Sequence, residues 1–124
     1  MIFVAGTNLD GIHGAGSAKY AHDHEGLRMG VGRGLDGNSY ALPTVGHNFS
    51  RMTLPQVAVE VGRFIETARQ YPQQEFKVTR VGCALAGFTD GQIAPPLFAD
   101  APGNCLFDAA WDQYLDGKRC WGTF

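Results

Sequence analysis

With 124 residues, 44% of them apolar and 18% charged, the chain is long enough to bury a core without disulfide or metal staples, and its length argues for one domain spanning residues 1–124. A net charge of −2 supplies no bulk attraction to nucleic acid or to an anionic membrane, so non-specific nucleic-acid binding is not expected and basic residues act singly, at sites. Three cysteines, Cys83, Cys105 and Cys120, are odd in number and lack CxxC spacing, which favours reduced thiols in a cytoplasmic setting over a disulfide framework or zinc site; the opening apolar run is too short for a membrane span and lacks a basic leader.

Ile2-Phe3-Val4-Ala5 is a continuous apolar run closed by Gly6, the pattern of a buried central strand. The glycine-rich stretch from Gly6 to Ala18 follows it and leads into a helix predicted over Ser17 to His24. A strand, a glycine turn and a helix start form an anion cradle, because glycine lets the backbone approach closely and the helix N-terminus offers unpaired N–H groups; the alternative is a tight connection that needs glycine only for positive φ. His22 and His24 stand two apart and so point to different helix faces, which argues against metal chelation, and no cofactor or metal site is expected elsewhere.

A literal GxGxxG follows at Gly32, Gly34 and Gly37, but the next segment, Ser39 to Pro43, reads as a strand rather than a helix, so the context is wrong for a dinucleotide fingerprint. Arg33 within it either faces a phosphate or is a solvated loop arginine. Leu42-Pro43-Thr44 opens an irregular polar loop through Ser50. The strongest helix signal runs from Pro55 to Tyr71, with Val57, Val61, Phe64, Ile65 and Ala68 on one face, Glu60, Arg63, Glu66 and Arg69 on the other, and Thr53 as cap. Gly62 inside it predicts close packing against a strand. Glu75 to Val81 alternates as a half-buried strand and runs into a second glycine-rich loop, Gly82 to Phe88; Thr89-Asp90 then caps a helix over Gly91 to Ala99 that Pro95 and Pro96 shorten or kink. Asn104 to Phe107 reads as an edge strand and Ala109 to Leu115 as a last short helix. The aromatic tail, about 117–124, docks either on the domain itself or on a second copy.

Two glycine loops, each after an apolar strand and each opening a helix, flank Leu42-Pro43-Thr44 and the amphipathic helix. In that order they resemble the macro domain, in its compact branch related to terminal and DNA ADP-ribose glycohydrolases, over residues 2 to about 99. Asn8 through His13-Gly14-Ala15-Gly16-Ser17-Ala18 is similar to that branch's first loop, and Val81 through Phe88 to the loop that cradles the ADP-ribose diphosphate. The resemblance implies a small three-layer α/β domain, a mixed but mostly parallel sheet with helices on both faces. It also implies ligand contacts from Asn8, Gly11, His13, Gly14, Ala15, Gly16, Thr44, Gly82, Ala84, Leu85, Ala86, Gly87 and Phe88. Asn8 would bond a ribose hydroxyl, and Phe88 would either stack on the ligand or staple the following helix.

Active relatives carry a lysine between the first loop's glycines, where this chain has Ala15, and some carry an acid where it has Ala86 or Gly87. The chain also opens at what would be an internal strand of that fold, so the residue that contacts adenine is not carried over. Binding or sequestration of ADP-ribose or a derived, cyclic nucleotide is therefore the expectation. The alternative is a hydrolase using His13 and Asp10, with Asp90, Thr44 and Cys83 in reserve; His13 and Cys83 also read as a hydrogen-bonding loop residue and an inert buried thiol. A third reading is an interaction module without ligand. A shortened sheet leaves an edge that a homo-oligomer would cover.

Overall fold

The computed structural model describes residues 1–124 and contains nine regular elements: β1 (Ile2–Asn8), α1 (Gly16–His24), β2 (Gly34–Asp36), β3 (Ser39–Val45), α2 (Leu54–Gln70), β4 (Phe76–Val78), α3 (Asp90–Phe98), β5 (Cys105–Asp108) and β6 (Arg119–Gly122). One six-stranded sheet runs in the order β2-β3-β1-β4-β5-β6, with β2 antiparallel to β3 and every other pair parallel. Successive side chains of β1 point to opposite faces. Val4 joins Leu42, Phe76, Val78 and Phe107 under α2 and α3, whereas Phe3 and Ala5 pack with Ala41 against Ala21 of α1 and Leu27. The result is a three-layer α/β domain with helices on both faces of a mixed, mostly parallel sheet.

The larger core is aromatic. Phe64 of α2 meets Tyr40, Phe76 and Phe98 with ring centroids 5.1, 5.5 and 6.3 Å apart, and the fully buried Trp111 lies 5.3 Å from Phe98. Such pairs add about 1 kcal/mol each beyond the apolar area they bury. Helix α2 starts where Thr53 accepts the Gln56 N–H while the Gln56 side chain accepts the Thr53 N–H, a reciprocal cap, and Thr89 with Gln92 repeats it at α3. Pro95 and Pro96 lie inside α3, which nevertheless continues to Phe98.

Several boundaries differ from expectation for local reasons. β1 continues to Asn8 because Thr7 and Asn8 stay paired with Pro43 and Val45 of β3. Pro43 is tolerated there because β2 reaches only Ser39–Ala41, leaving one side of the proline without a neighbouring strand. β4 stops at Val78, not Val81: the Thr79 hydroxyl and N–H both turn onto the Val4 carbonyl, and the Val81 N–H closes a tight turn on the Thr79 carbonyl at 2.7 Å. The helix expected over Ala109 to Leu115 is one 3₁₀ turn, Ala109–Trp111, after which the N–H groups of Tyr114 and Leu115 both fold back onto the Trp111 carbonyl. A Cβ placed at Gly62 meets nothing within 4 Å, so this glycine serves no close packing against a strand. Glu60, expected on the outer face of α2, is buried and receives Arg33 side-on, at 2.9 Å from Nε and 2.5 Å from Nη2. Arg33 is thus neither free in solvent nor turned to the glycine loops.

β5 is not an edge, because the tail adds β6 beside it. The Trp121 indole N–H donates to the Val78 carbonyl at 2.9 Å, the Thr123 hydroxyl and Phe124 N–H donate to the buried Asp108 carboxylate, and the Phe124 ring sits 5.8 Å from Phe3 and 5.4 Å from Tyr20. The tail docks on its own domain. No helix is long and apolar enough to cross a membrane.

Candidate functional site: a cleft between two glycine-rich loops

In the sheet, β1 and β4 are neighbours. The connection that leaves β1 runs through α1 to β3 on one side, while the connection that leaves β4 runs through α3 to β5 on the other. Those two helices lie on opposite faces, so the loops diverge and open a crevice beyond the carboxyl ends of the strands, the switch point at which open α/β sheets take ligands. A cleft of about 570 Å³ occupies it, a volume within the usual range for small-molecule sites.

Its lining draws on both loops: Gly14, Ala15, Gly16, Ser17 and Ala18 from the first, and Gly82, Ala84, Leu85 and Ala86 from the second, with Thr44 and Val45 at the end of β3 and Gly6, Thr7 and Asn8 along β1. Residues about 70 apart in sequence are thereby brought together, and most of those the two loops supply are glycine or alanine. Helix α1 begins in this cleft with no side-chain cap, whereas α2 and α3 are both fully capped. Its first N–H groups, from Gly16 to Ala18, therefore have no acceptor within the chain. The same holds for the N–H groups of Gly14 and Ala15, and in the second loop for those of Gly82, Ala84, Leu85 and Ala86. The second loop is held by other bonds, from the Gly87 N–H to the Ala84 carbonyl at 3.0 Å and from the Phe88 N–H to the Gly82 carbonyl at 2.9 Å.

The remaining residues singled out from the sequence have other surroundings. Asn8 lies on the cleft wall, but its carboxamide closes the first loop: Nδ2 donates to the Ile12 carbonyl at 2.8 Å and Oδ1 accepts the Ile12 N–H at 3.0 Å. Gly11 is outside the lining. Its φ is +70°, and a Cβ there would fall 2.3 Å from the carbonyl carbon of Gly30 and 2.5 Å from the Val31 nitrogen, so it is a contact point between two stretches of backbone. Gly32, from the discarded GxGxxG, is the counterpart on the facing stretch, where a Cβ would fall 2.6 Å from the Asn8 and Leu9 carbonyls; Thr7 also donates its hydroxyl to the Gly32 carbonyl at 2.7 Å.

His13 is almost fully buried behind the loop, with Nε2 3.1 Å from the Arg28 carbonyl and Nδ1 without a partner; burial holds its pKa below the ordinary 6.5. Asp10 accepts from His47 Nδ1 and the Asn48 N–H, each at 2.7 Å, and these bonds hold its carboxyl below the ordinary range. Asp90 accepts from Nε and Nη2 of Arg80, at 2.8 and 2.6 Å, and from the Trp111 indole N–H at 2.6 Å; led by the Arg80 contacts, its pKa falls to about 2. Burial pushes the Cys83 thiol up to about 12, so it is protonated at neutral pH. Phe88 and Gly87 lie outside the lining, Phe88 packed against the larger core. Among the lining residues that sequence reasoning did not assign to the site are Ile12, Phe49 and Arg80; the Arg51 guanidinium lies off the lining, 3.5 Å from where a Cβ on Gly87 would sit.

The chain matches no family model, no curated protein and no solved structure. What it can do is therefore read from this geometry. No group of histidines, cysteines and carboxylates is placed to hold a metal ion.

Proposed function

We propose that the protein binds ADP-ribose or a closely related diphosphate-bearing nucleotide, cradling the diphosphate between the two glycine loops. The observation that supports this reading most is the convergence on one cleft of two sets of N–H groups without acceptors, one at the open start of α1 and one in the loop after β4. N–H groups without acceptors gathered in one cleft, with the positive end of a helix dipole among them, suit an anion with several oxygens. The order of the loops and of Leu42-Pro43-Thr44 is similar to that in macro domains, which favours ADP-ribose over an isolated phosphate.

Support for binding rather than turnover comes from the candidate acid–base groups. His13 is sealed from the cleft, Asp10 and Asp90 accept strong hydrogen bonds from fixed donors, and Ala15 stands where a nucleophilic lysine would be. None is placed to transfer a proton to a ligand. Titration calorimetry with ADP-ribose, ADP and cyclic nucleotides is expected to give saturable heat. Ala15→Asp, which sets a carboxylate among the N–H groups, is expected to weaken binding at least about tenfold by repulsion alone. No heat with any of these ligands at millimolar concentration would end the proposal.

A further inference from the structure

Three side chains that line the cleft are apolar and strongly exposed: Ile12 at 49%, Phe49 at 58% and Leu85 at 83%. They come from the two glycine loops and from the segment between β3 and α2. Phe49 is the one aromatic residue in the lining. Leaving a phenyl ring in water is unfavourable, and the backbone beneath it adds to the cost. Asn48 and Phe49, with φ of 53° and 57°, are the only non-glycine residues in the chain with positive φ, and they are consecutive.

That turn is enforced from both ends. Val45 bridges Arg51, the Gly46 N–H donates to the Ser50 carbonyl at 2.8 Å, and the Ser50 N–H donates to the His47 carbonyl at 3.0 Å. From the first glycine loop, Asp10 grips the turn through His47 Nδ1 and the Asn48 N–H. A strained turn held by a carboxylate from another loop, with its aromatic ring kept out of the core and over a cleft, is a built feature that the packing of the domain does not use.

We infer that Phe49 receives the nucleobase of the bound nucleotide by stacking, and that Asp10 is the positioning residue that holds the ring in place. The inference rests on the proposed diphosphate site and assigns the remaining, flat part of the ligand to the mouth of the cleft. It also gives Asp10 a role other than acid–base chemistry. Any nucleobase has a π-face, so stacking alone selects for a base without choosing among bases.

The test compares ADP with inorganic pyrophosphate, which lacks the base, by calorimetry on the full chain. Phe49→Ala is expected to lose about tenfold or more in affinity for ADP while pyrophosphate binding stays within about twofold. Asp10→Asn is expected to lose ADP affinity in the same selective way, and to add nothing further when combined with Phe49→Ala. Phe49→Trp is expected to retain ADP binding, with indole emission that responds to ADP and not to pyrophosphate. Retained pyrophosphate binding also reports that each variant is folded. If Phe49→Ala binds ADP as wild type does, or loses both ligands equally, the stacking role is overturned. If wild type binds pyrophosphate but not ADP, the inference is likewise overturned while the diphosphate cradle stands; if it binds neither, the cradle itself is wrong.

Discussion

Replacing Asp90 by alanine is expected to destabilise the fold by about 3 kcal/mol at pH 7. Trp111 is fully buried, and its indole N–H donates to Asp90 Oδ1 at 2.6 Å; stranding that donor costs about 1–3 kcal/mol. The two bonds to Arg80 add less than their lengths suggest, because the Arg80 side chain is 44% exposed and water screens the pair, leaving about 0.5–1 kcal/mol. Asp90 also sits in the first turn of α3, where a negative charge is favoured by about 0.3–1 kcal/mol. Asp90→Asn keeps an acceptor for the indole and is expected to cost about half as much.

The same contact makes a pH signature. The carboxyl titrates at about 2 in the folded chain against an ordinary 3.8, so its stabilisation is complete above pH ~4 and is lost as the pH falls toward 2. Urea unfolding followed by tryptophan fluorescence, at pH 7 and again at pH 3, reads both effects. Wild type is expected to lose about 1 kcal/mol more than either variant over that interval. A cost under about 0.5 kcal/mol for Asp90→Ala at pH 7, or equal pH slopes in wild type and variant, would refute the view that this carboxylate ties the cleft wall to the aromatic core.

Gly11→Ala is expected to cost more than about 2 kcal/mol, seen as a lower urea midpoint, because the new Cβ collides with the Gly30–Val31 backbone at a φ of +70° and neither stretch can give way alone. A neutral result would mean that the two loops are not in register as described. His13 is expected to titrate below 6.5 when its ring protons are followed by NMR, because burial disfavours the imidazolium. Its contribution to stability is therefore present above pH ~6.5 and falls away as the pH drops; a midpoint at or above 6.5 would place the ring in water.

The legible parts of this chain are those whose cause is local. A short apolar run made β1 recognisable, a spaced apolar stripe made α2, and Thr53 and Thr89 made the helix starts, because each signal lies within a few residues of its effect. The two glycine loops were legible as loops, and their positions after strands on either side of α2 are what the parallel topology brings together. What the sequence hid depends on partners far along the chain. β2 is three residues in a glycine-rich stretch and exists only through β3, β6 exists through β5, and Glu60 is buried only because Arg33 arrives from 27 residues away. Asn8 and Asp10 have side chains suited to ligand contact, but hydrogen bonds within the first loop and to the 46–51 turn claim them. Phe49 could not be found by pattern, since its exposure follows from two left-handed residues in a segment without periodicity.

The first loop of the cleft is held from behind, by Gly11 against Gly30, Gly32 against Asn8 and the Asn8 carboxamide on Ile12. A saturation scan of the chain would consequently look inverted around the opening. Positions such as Ala15, Ser17 and Ala84 would accept many uncharged residues, because what they present is amide hydrogen. The intolerant positions would lie one layer deeper, at Gly11 and Gly32, which face no solvent and touch no solute.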